Sequence, residues 1–464
     1  MIHFGALVPH PPLIVPGVGS ETDRDKVAET IRSLREVDRL LAQDPPETLV
    51  VFTPHGTVYS DAVIVYDDRE LAGDLRQFGA QPTWRWENDR ELVERIAAIG
   101  RTADLPVYPL QQREAARGRA GGLDHGVLVP LSFFDPQWAA QAKLVVIPLS
   151  YLPLEELYQF GTVVAEAAAQ LGRKTAIIAS GDLSHCLLPG APAPYDPRGA
   201  EFDHKLIELL RAEAVTPFFE LDSVLLEKAA ECGFRSLIML LGTLDKTGFR
   251  VKVHSYQGPF GVGYGVATFQ PTGETRESLV PELFGRRKTA LAERRAGESP
   301  LVRYARRVVE AHVRKQPLPQ PEELSEFASE RAGVFVSLKK HGQLRGCIGT
   351  IEATQASLAA EVRQNAVSAA SHDHRFDPVT AEELDDLTYS VDVLKPVEPI
   401  AGLEQLDPSR YGVIVTRGGR RGLLLPNIEG VESATEQVAI AKRKAGIRPD
   451  ESVELERFEV VRYH

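Results

Sequence analysis

The chain has 464 residues, long for one hydrophobic core, so two or three domains are expected. Hydrophobic and charged fractions of 43% and 25% belong to a folded globular protein and exclude wholesale disorder, while a formal charge of -12 argues against general nucleic-acid binding. The three cysteines, Cys186, Cys232 and Cys347, are odd in number and far apart, which excludes a disulfide framework and fits a reducing compartment.

The first eight residues, Met1-Ile2-His3-Phe4-Gly5-Ala6-Leu7-Val8, carry no basic start and meet His10-Pro11-Pro12 too early for a signal peptide. No apolar run has the length that spans a bilayer. The segment reads as a first strand of a cytoplasmic protein without a membrane partner.

From residue 1 to about 272, apolar runs alternate with amphipathic stretches, the pattern of an α/β domain with a mixed, largely parallel sheet flanked by helices. Strands are expected near 2–8, 48–53, 144–149, 175–180, 250–256 and 263–269, and helices near 23–43, 88–99, 154–171, 198–213 and 222–232. Gly258-Pro259-Phe260-Gly261-Val262-Gly263-Tyr264-Gly265 suits a tight turn between the last two strands; a nucleotide loop would need a strand-turn-helix context that is missing.

Residues 273–298 hold Pro, Gly and mixed charges without an apolar period and read as a linker. Residues 286–315 carry ten Lys or Arg against three acids, Glu293, Glu298 and Glu310. That run reads as a solvated linker and helix face, with a nucleic-acid or acidic-partner surface as the lesser alternative.

A smaller α+β domain is expected over 299–464. Pro300 with Leu301, Ala305, Val308, Val309 and Val313 describes its opening helix. Gly333-Val334-Phe335-Val336-Ser337-Leu338 and Leu344-Arg345-Gly346-Cys347-Ile348-Gly349 flank a polar turn at His341-Gly342-Gln343, a hairpin signal. A helix near 355–371, strands near 387–394, 411–416 and 421–425, a helix near 433–445 and a strand near 452–461 complete it.

The chemistry is signalled where strands end. His10, His55 and His185 each follow a short apolar run, which brings three imidazoles to one rim of a parallel sheet, outside the carboxyl ends of its strands. A non-haem Fe(II) site needs two imidazoles and a carboxylate on one face of the metal. His10 and His55 supply the imidazoles. Glu231, late in the apolar helix of Val224, Leu225, Leu226, Ala229 and Ala230, is the candidate carboxylate, since burial there is costly without a partner. Cys232 is the alternative ligand, and its thiolate would favour zinc or copper(I). His185 is the candidate general acid/base, oriented by Asp182, and His125 could hydrogen-bond a substrate oxygen. Taken singly each of these is an ordinary loop or capping residue; the set carries the weight.

Val8-Pro9-His10-Pro11-Pro12, Thr53-Pro54-His55, Leu123-Asp124-His125-Gly126 with Val129-Pro130-Leu131, and Gly181-Asp182-Leu183-Ser184-His185 resemble, in order, the class III extradiol ring-cleavage dioxygenases of the LigB type. The resemblance implies Fe(II), a small aromatic diol and O2 as the reacting partners. It also implies His10, His55 and Glu231 as ligands, His185 as acid/base and His125 as an outer residue. Memo-like proteins share these motifs, with a Cys-Gly pair where Cys232-Gly233 falls, which implies metal binding without ring cleavage.

Leu344-Arg345-Gly346-Cys347-Ile348-Gly349, Ser371-His372-Asp373-His374-Arg375-Phe376 and Leu394-Lys395-Pro396 resemble the AMMECR1 domain. Cys347 between glycines is a candidate nucleophile with His372 or His374 as base; the favoured alternative is a strand residue whose glycines permit close packing. The pairing of Memo-like and AMMECR1 domains implies a radical-SAM pathway partner. A second copy of the chain is a further candidate partner, and nucleic acid is not expected. Three functions follow: an extradiol-type dioxygenase with an accessory domain, a Memo-like redox or modification protein, and a non-catalytic scaffold.

Overall fold

The computed structural model describes residues 1–80, 83–115, 122–327, 329–340, 343–428 and 430–464. The chain divides into two compact units, Met1–Arg286 and Arg287–His464. No helix among the described residues is long and apolar enough to cross a membrane.

The first unit is built on a six-stranded sheet in the order Lys143–Pro148, Thr48–Thr53, Thr175–Ser180, Ile2–Val8, Tyr264–Thr275 and Thr247–Gln257. The first four strands are parallel and the last two antiparallel. Each parallel strand is a nearly continuous apolar run because both sheet faces are covered. Thus Val50 and Phe52 enter one core with Leu157, Phe160 and Phe234, while Leu49 and Val51 enter the other with Leu34, Val37 and Val127. Helices Ala28–Gln43, Leu154–Gln170, Pro197–Ala212 and Phe234–Thr243 supply most of that cover.

Three expectations need correction. The helix expected over 222–232 is Ser223–Ala229; Ala230 ends it in a left-handed conformation (φ 51), and Glu231-Cys232-Gly233 form a turn before a second helix, Phe234–Thr243. The second helix was not among the expected elements. Residues 273–298 are not irregular: the last strand runs to Thr275, and Val280–Gly297 is helical. Its Ala, Leu, Arg and Glu content favours helix without any apolar period, helped by the Glu282–Arg286 pair four residues apart (3.0 Å). Leu283 from this helix is buried in the first unit's core, and the Leu279 N–H donates to Asp245 Oδ1 (2.8 Å). Part of the basic run is also paired: Arg295 and Arg306 both meet Glu310 (3.2 Å each), and Arg306 meets Glu298 (2.9 Å).

In the second unit an antiparallel sheet runs Gln343–Gly349, Val334–Lys340, Leu387–Leu394, Val460–Tyr463, with helices Pro300–Val313 and Leu358–Ser371 packed on one face. A second sheet, Glu398–Ile400, Glu454–Phe458, Gly412–Arg417, Arg420–Leu424, carries helix Ala434–Lys444. The expected closing strand is two strands, split at Glu459 and shared between the sheets. The turn at His341-Gly342 lies outside the described residues, although the strands that flank it pair as a hairpin.

Candidate metal centre

Strand register sets the site. Val8 is level with Ser180, and Thr53 with Pro148, so the segments that follow all leave the sheet at one rim. His10 and His55 stand two residues beyond their strands. His125 reaches the same rim by another route, as the first residue of helix His125–Leu131. Asp124 caps that helix: its Oδ1 accepts from Val127 N (3.3 Å) and from Thr53 Oγ1 (2.8 Å), which ties the cap to the strand leading to His55. Gly126 has to be glycine, because a Cβ there would stand 2.5 Å from Thr53 Oγ1.

The ligand atoms of His10, His55 and His125 lie within 4.8 Å of one another, the one such group found among the described residues. His55 and His125 stack with ring centroids 4.1 Å apart. His10 and His55 face each other through their Nε2 atoms at 2.8 Å.

Hydrogen bonding fixes the tautomer of His10. The single Ser180 hydroxyl proton is donated to the Gly126 carbonyl (2.5 Å), so Ser180 Oγ accepts from His10 Nδ1 (2.9 Å). Nδ1 therefore carries the proton, and Nε2 presents its lone pair to the cluster. The His10 backbone N–H donates to Asp182 Oδ1 (2.9 Å), and Asp182 Oδ2 is 3.9 Å from His10 Nε2. A cation seated between the imidazoles would take the place of the proton that His55 now directs at His10. Donor type, tautomer and spacing thus fit a metal.

Burial keeps these groups uncharged. It drives the His10 imidazolium far below its ordinary range, with His55, His125 and His185 adding repulsion. Burial lowers His55 too, and takes His125 down to about 4 with help from His55. The carboxyls respond in the opposite sense: burial pushes Asp182 and Glu231 each up to about 7.

His185 belongs to the same electrostatic neighbourhood, and burial lowers its pKa. Its loop is pinned at successive amides: Leu183 N to Gly263 O (2.8 Å), Ser184 N to Asp203 Oδ1 (2.8 Å) and His185 N to Ala229 O (3.0 Å). Asp203 is buried, is pushed up to about 7 by that burial, and accepts from the Tyr256 hydroxyl (2.7 Å).

The Glu231–Gly233 turn meets this loop backbone to backbone, since Gly181 and Gly233 leave no room for a Cβ between them. That contact seats Cys232: its Sγ accepts from Asp182 N (3.3 Å) and lies 3.7 Å from His10 Nε2. Burial raises the thiol pKa. Glu231 stands outside the imidazole trio, and its Oε2 accepts from Phe234 N (2.6 Å) at the start of the next helix. Of the two candidate third ligands, the thiol is the one in contact with His10.

In the second unit, Cys347 sits on the edge strand, and its polar contacts come from the Asp373–Arg375 pair and Ser337. Asp373 Oδ2 accepts from Cys347 N (2.9 Å), Arg375 Nη2 donates to Cys347 O (3.1 Å), and Ser337 Oγ donates to Cys347 Sγ (3.2 Å). His372 and His374, on either side of Asp373, are exposed. The base expected from them is replaced by an acid-base pair that closes the edge strand's free amide and carbonyl. Burial raises the Cys347 pKa, so the thiol stays protonated near neutrality.

Ser180, Thr53, Asp203, Tyr256 and Arg235 were not expected from the sequence. Ser180 and Thr53 carried a signal, each being the polar last residue of an otherwise apolar strand. Asp203 and Tyr256 carried none, being far apart in sequence. Arg235 donates to the Ser150 and Leu152 carbonyls (3.2 and 2.7 Å), beyond the last helix expected in this domain.

Residues 5–267 match the family model described as the catalytic LigB subunit of aromatic ring-opening dioxygenase, and residues 302–464 match AMMECR1. A protein of Clostridium acetobutylicum is 37% identical over 464 aligned residues, covering 98% of each chain. A Thermotoga maritima protein is 52% identical over 171 residues, 36% of this chain and 98% of its own. An uncharacterized Pyrococcus horikoshii protein of known crystal structure is 33% identical, covering 36% of this chain and 89% of that one, with a TM-score of 0.34.

Proposed function

Because the chain belongs to the family of the catalytic LigB subunit of aromatic ring-opening dioxygenases, and joins that domain to an AMMECR1 domain, we propose that its first unit is a metal-dependent oxidoreductase of the extradiol type. The substrate would be a catechol-like aromatic diol, cleaved with O2, with the second unit as an accessory. The observation that carries this reading is the neutral imidazole trio, with the His10 lone pair turned inward by Ser180.

His10 and His55 would hold the metal, joined by Glu231 or Cys232. When bound, Fe(II) would supply open positions at which diol and O2 meet. His185, uncharged near neutrality, is suited to take a proton from a diol hydroxyl and later return it. His125, also uncharged, can donate one hydrogen bond to a substrate oxygen. Asp182 holds the His10 main chain in place through its amide.

A second reading rests on Cys232. A thiol 3.7 Å from His10 Nε2, beside a carboxylate that caps a helix, suits a softer metal and a Memo-like redox or modification role without ring cleavage. Metal analysis of anaerobically purified protein, followed by oxygen uptake with a panel of catechols, tests both. Iron together with uptake on any diol supports the first reading. Copper or zinc with no uptake supports the second, and absence of bound metal removes both.

A further inference from the structure

Arg235 reaches over the end of the strand that carries His55. Strands Thr175–Ser180, Thr48–Thr53 and Lys143–Pro148 lie side by side, with Phe52 level with Ala179 and Thr53 level with Pro148, so all three end at the imidazole rim. Helix Phe234–Thr243 begins at the end of the first, where Gly233 meets Gly181 backbone to backbone. From the first turn of that helix Arg235 extends to the chain that leaves the third: its Nη1 donates to Ser150 O (3.2 Å) and Leu152 O (2.7 Å). The strand it spans is Thr48–Thr53, which leads to His55. The loop it grips is tied to the chain leaving His55, since Tyr59 O accepts from Tyr151 N (3.1 Å) and Ser150 Oγ (3.2 Å).

Those two bonds occupy one nitrogen of the guanidinium. Among the described residues Nε and Nη2 have no hydrogen-bond partner, and no carboxylate forms an ion pair with Arg235. Glu231 adds to the field there, but its carboxylate is turned to the Phe234 amide (2.6 Å). Burial works against the charge and lowers the Arg235 pKa. The Arg235 Cζ stands 5.2 Å from the ring centroid of Tyr151, which is 44% exposed, so solvent reaches this side of the rim. The Nε–Nη2 edge takes a carboxylate side-on through two parallel hydrogen bonds, and pinning Nη1 fixes the plane in which it does so.

We propose that Arg235 is the specificity-determining residue of the first unit: its free edge binds a carboxylate carried by the substrate, whose diol oxygens lie toward His10 and His55. The histidines of the rim are held uncharged and cannot supply that contact. The aromatic diol in this assignment rests on the ring-cleavage reading; the anion rests on Arg235 alone.

Benzoate and benzamide, alike in shape and different in charge, test it on the full-length protein without turnover. By ligand-observed NMR, benzoate should bind about tenfold or more tightly than benzamide, the scale of one charge-assisted pair. Arg235→Gln, which keeps a donor for the Leu152 carbonyl, should bring the two affinities together. Arg235→Lys, a charge without the fork, should keep only part of the preference, and it carries the test if the glutamine variant does not fold. Equal affinities in the unaltered protein, no measurable benzoate binding, or a preference unchanged in either variant would overturn the assignment. Oxygen uptake with a carboxylated catechol and with catechol itself separates this from failure of the ring-cleavage reading. Uptake on either diol without a benzoate preference sinks the role of Arg235 and leaves that reading standing. A benzoate preference lost in Arg235→Gln, with no uptake on either diol, sinks the reading and leaves Arg235 as an anion-binding residue.

Discussion

At the rim of the first unit, His10, His55, His125 and His185 are all held uncharged by burial, and Asp182 and Glu231 are pushed toward neutrality by the same cause. On the edge strand of the second unit, Asp373 is held well below the usual carboxylate range, chiefly by its hydrogen bonds with Arg375, helped by the Cys347 amide. Both regions bury polar groups, but they satisfy them differently. The Asp373–Arg375 pair completes itself inside the protein and fixes a backbone. The imidazoles share one proton between His55 and the inward lone pair of His10, an arrangement in which a cation from outside could take that proton's place. Local charge state thus separates a centre built to receive a ligand from a clamp built to hold a strand, although both sequences show histidines beside aspartates.

The largest expected effect is at His10. His10→Ala should abolish metal binding with little change in circular dichroism, because it removes the imidazole whose lone pair Ser180 turns toward the cluster. Elemental analysis showing full occupancy in this variant would take the centre away from the trio. Next comes His185→Ala, which should retain the metal and lose about 10²–10⁴-fold in turnover on any accepted diol. Loss of the metal there would instead make His185 a ligand.

The clamp should respond in stability and not in chemistry. Asp373→Ala leaves the Cys347 amide and the Arg375 guanidinium without their partner, at a cost of about 1–3 kcal/mol. Denaturant unfolding followed by a probe in the second unit should register that loss, while His372→Ala and His374→Ala stay within about 0.5 kcal/mol. Equal effects from all three would return a chemical role to the histidines. A smaller change is expected at Ser180. Ser180→Ala lets His10 choose its tautomer and should weaken metal affinity by about 10–100-fold, as removal of outer partners does. An unchanged affinity would show that the Gly126–Ser180–His10 chain does not orient the ligand.

How much of this was legible in the sequence depends on whether the signal was local. The four parallel strands were legible because burial on both faces makes Thr48–Thr53 and Thr175–Ser180 unbroken apolar runs, and the strand-end histidines followed directly. The helix break at Ala230 was not, since a left-handed alanine between two apolar helices leaves no mark in hydrophobic periodicity. That one break moved Glu231 from a helix face to a helix cap. The Asp203–Tyr256 bond and the Gly181–Gly233 contact join distant segments, and only the assembled sheet brings them together. Helix Val280–Gly297 escaped for the reverse reason: its stability comes from residue propensity and charge pairs, with Leu283 as its single buried residue, so no apolar period announced it.

The choice between Glu231 and Cys232 can be sharpened by counting protons. A metal ligand must be deprotonated, so binding releases whatever proton the ligand still carries at the working pH. Glu231 is pushed up to about 7, so at pH 8 its carboxyl is already mostly ionised, and ligation through it should release only about 0.1 proton. The Cys232 thiol is raised well above its ordinary range by burial, with Asp182 and Glu231 adding repulsion, so it is still fully protonated at pH 8. Ligation through the thiol should release about one proton. The imidazoles contribute nothing in either case, since their lowered values leave them neutral at pH 8. Titration calorimetry at pH 8 in buffers of different ionisation enthalpy reads the count directly. At pH 6 the sign of the comparison is preserved but its size shrinks, because the Glu231 carboxyl is then largely protonated and would also release most of a proton. A release near zero at pH 8 that rises as the pH falls assigns the carboxylate; a release near one at both pH values assigns the thiol.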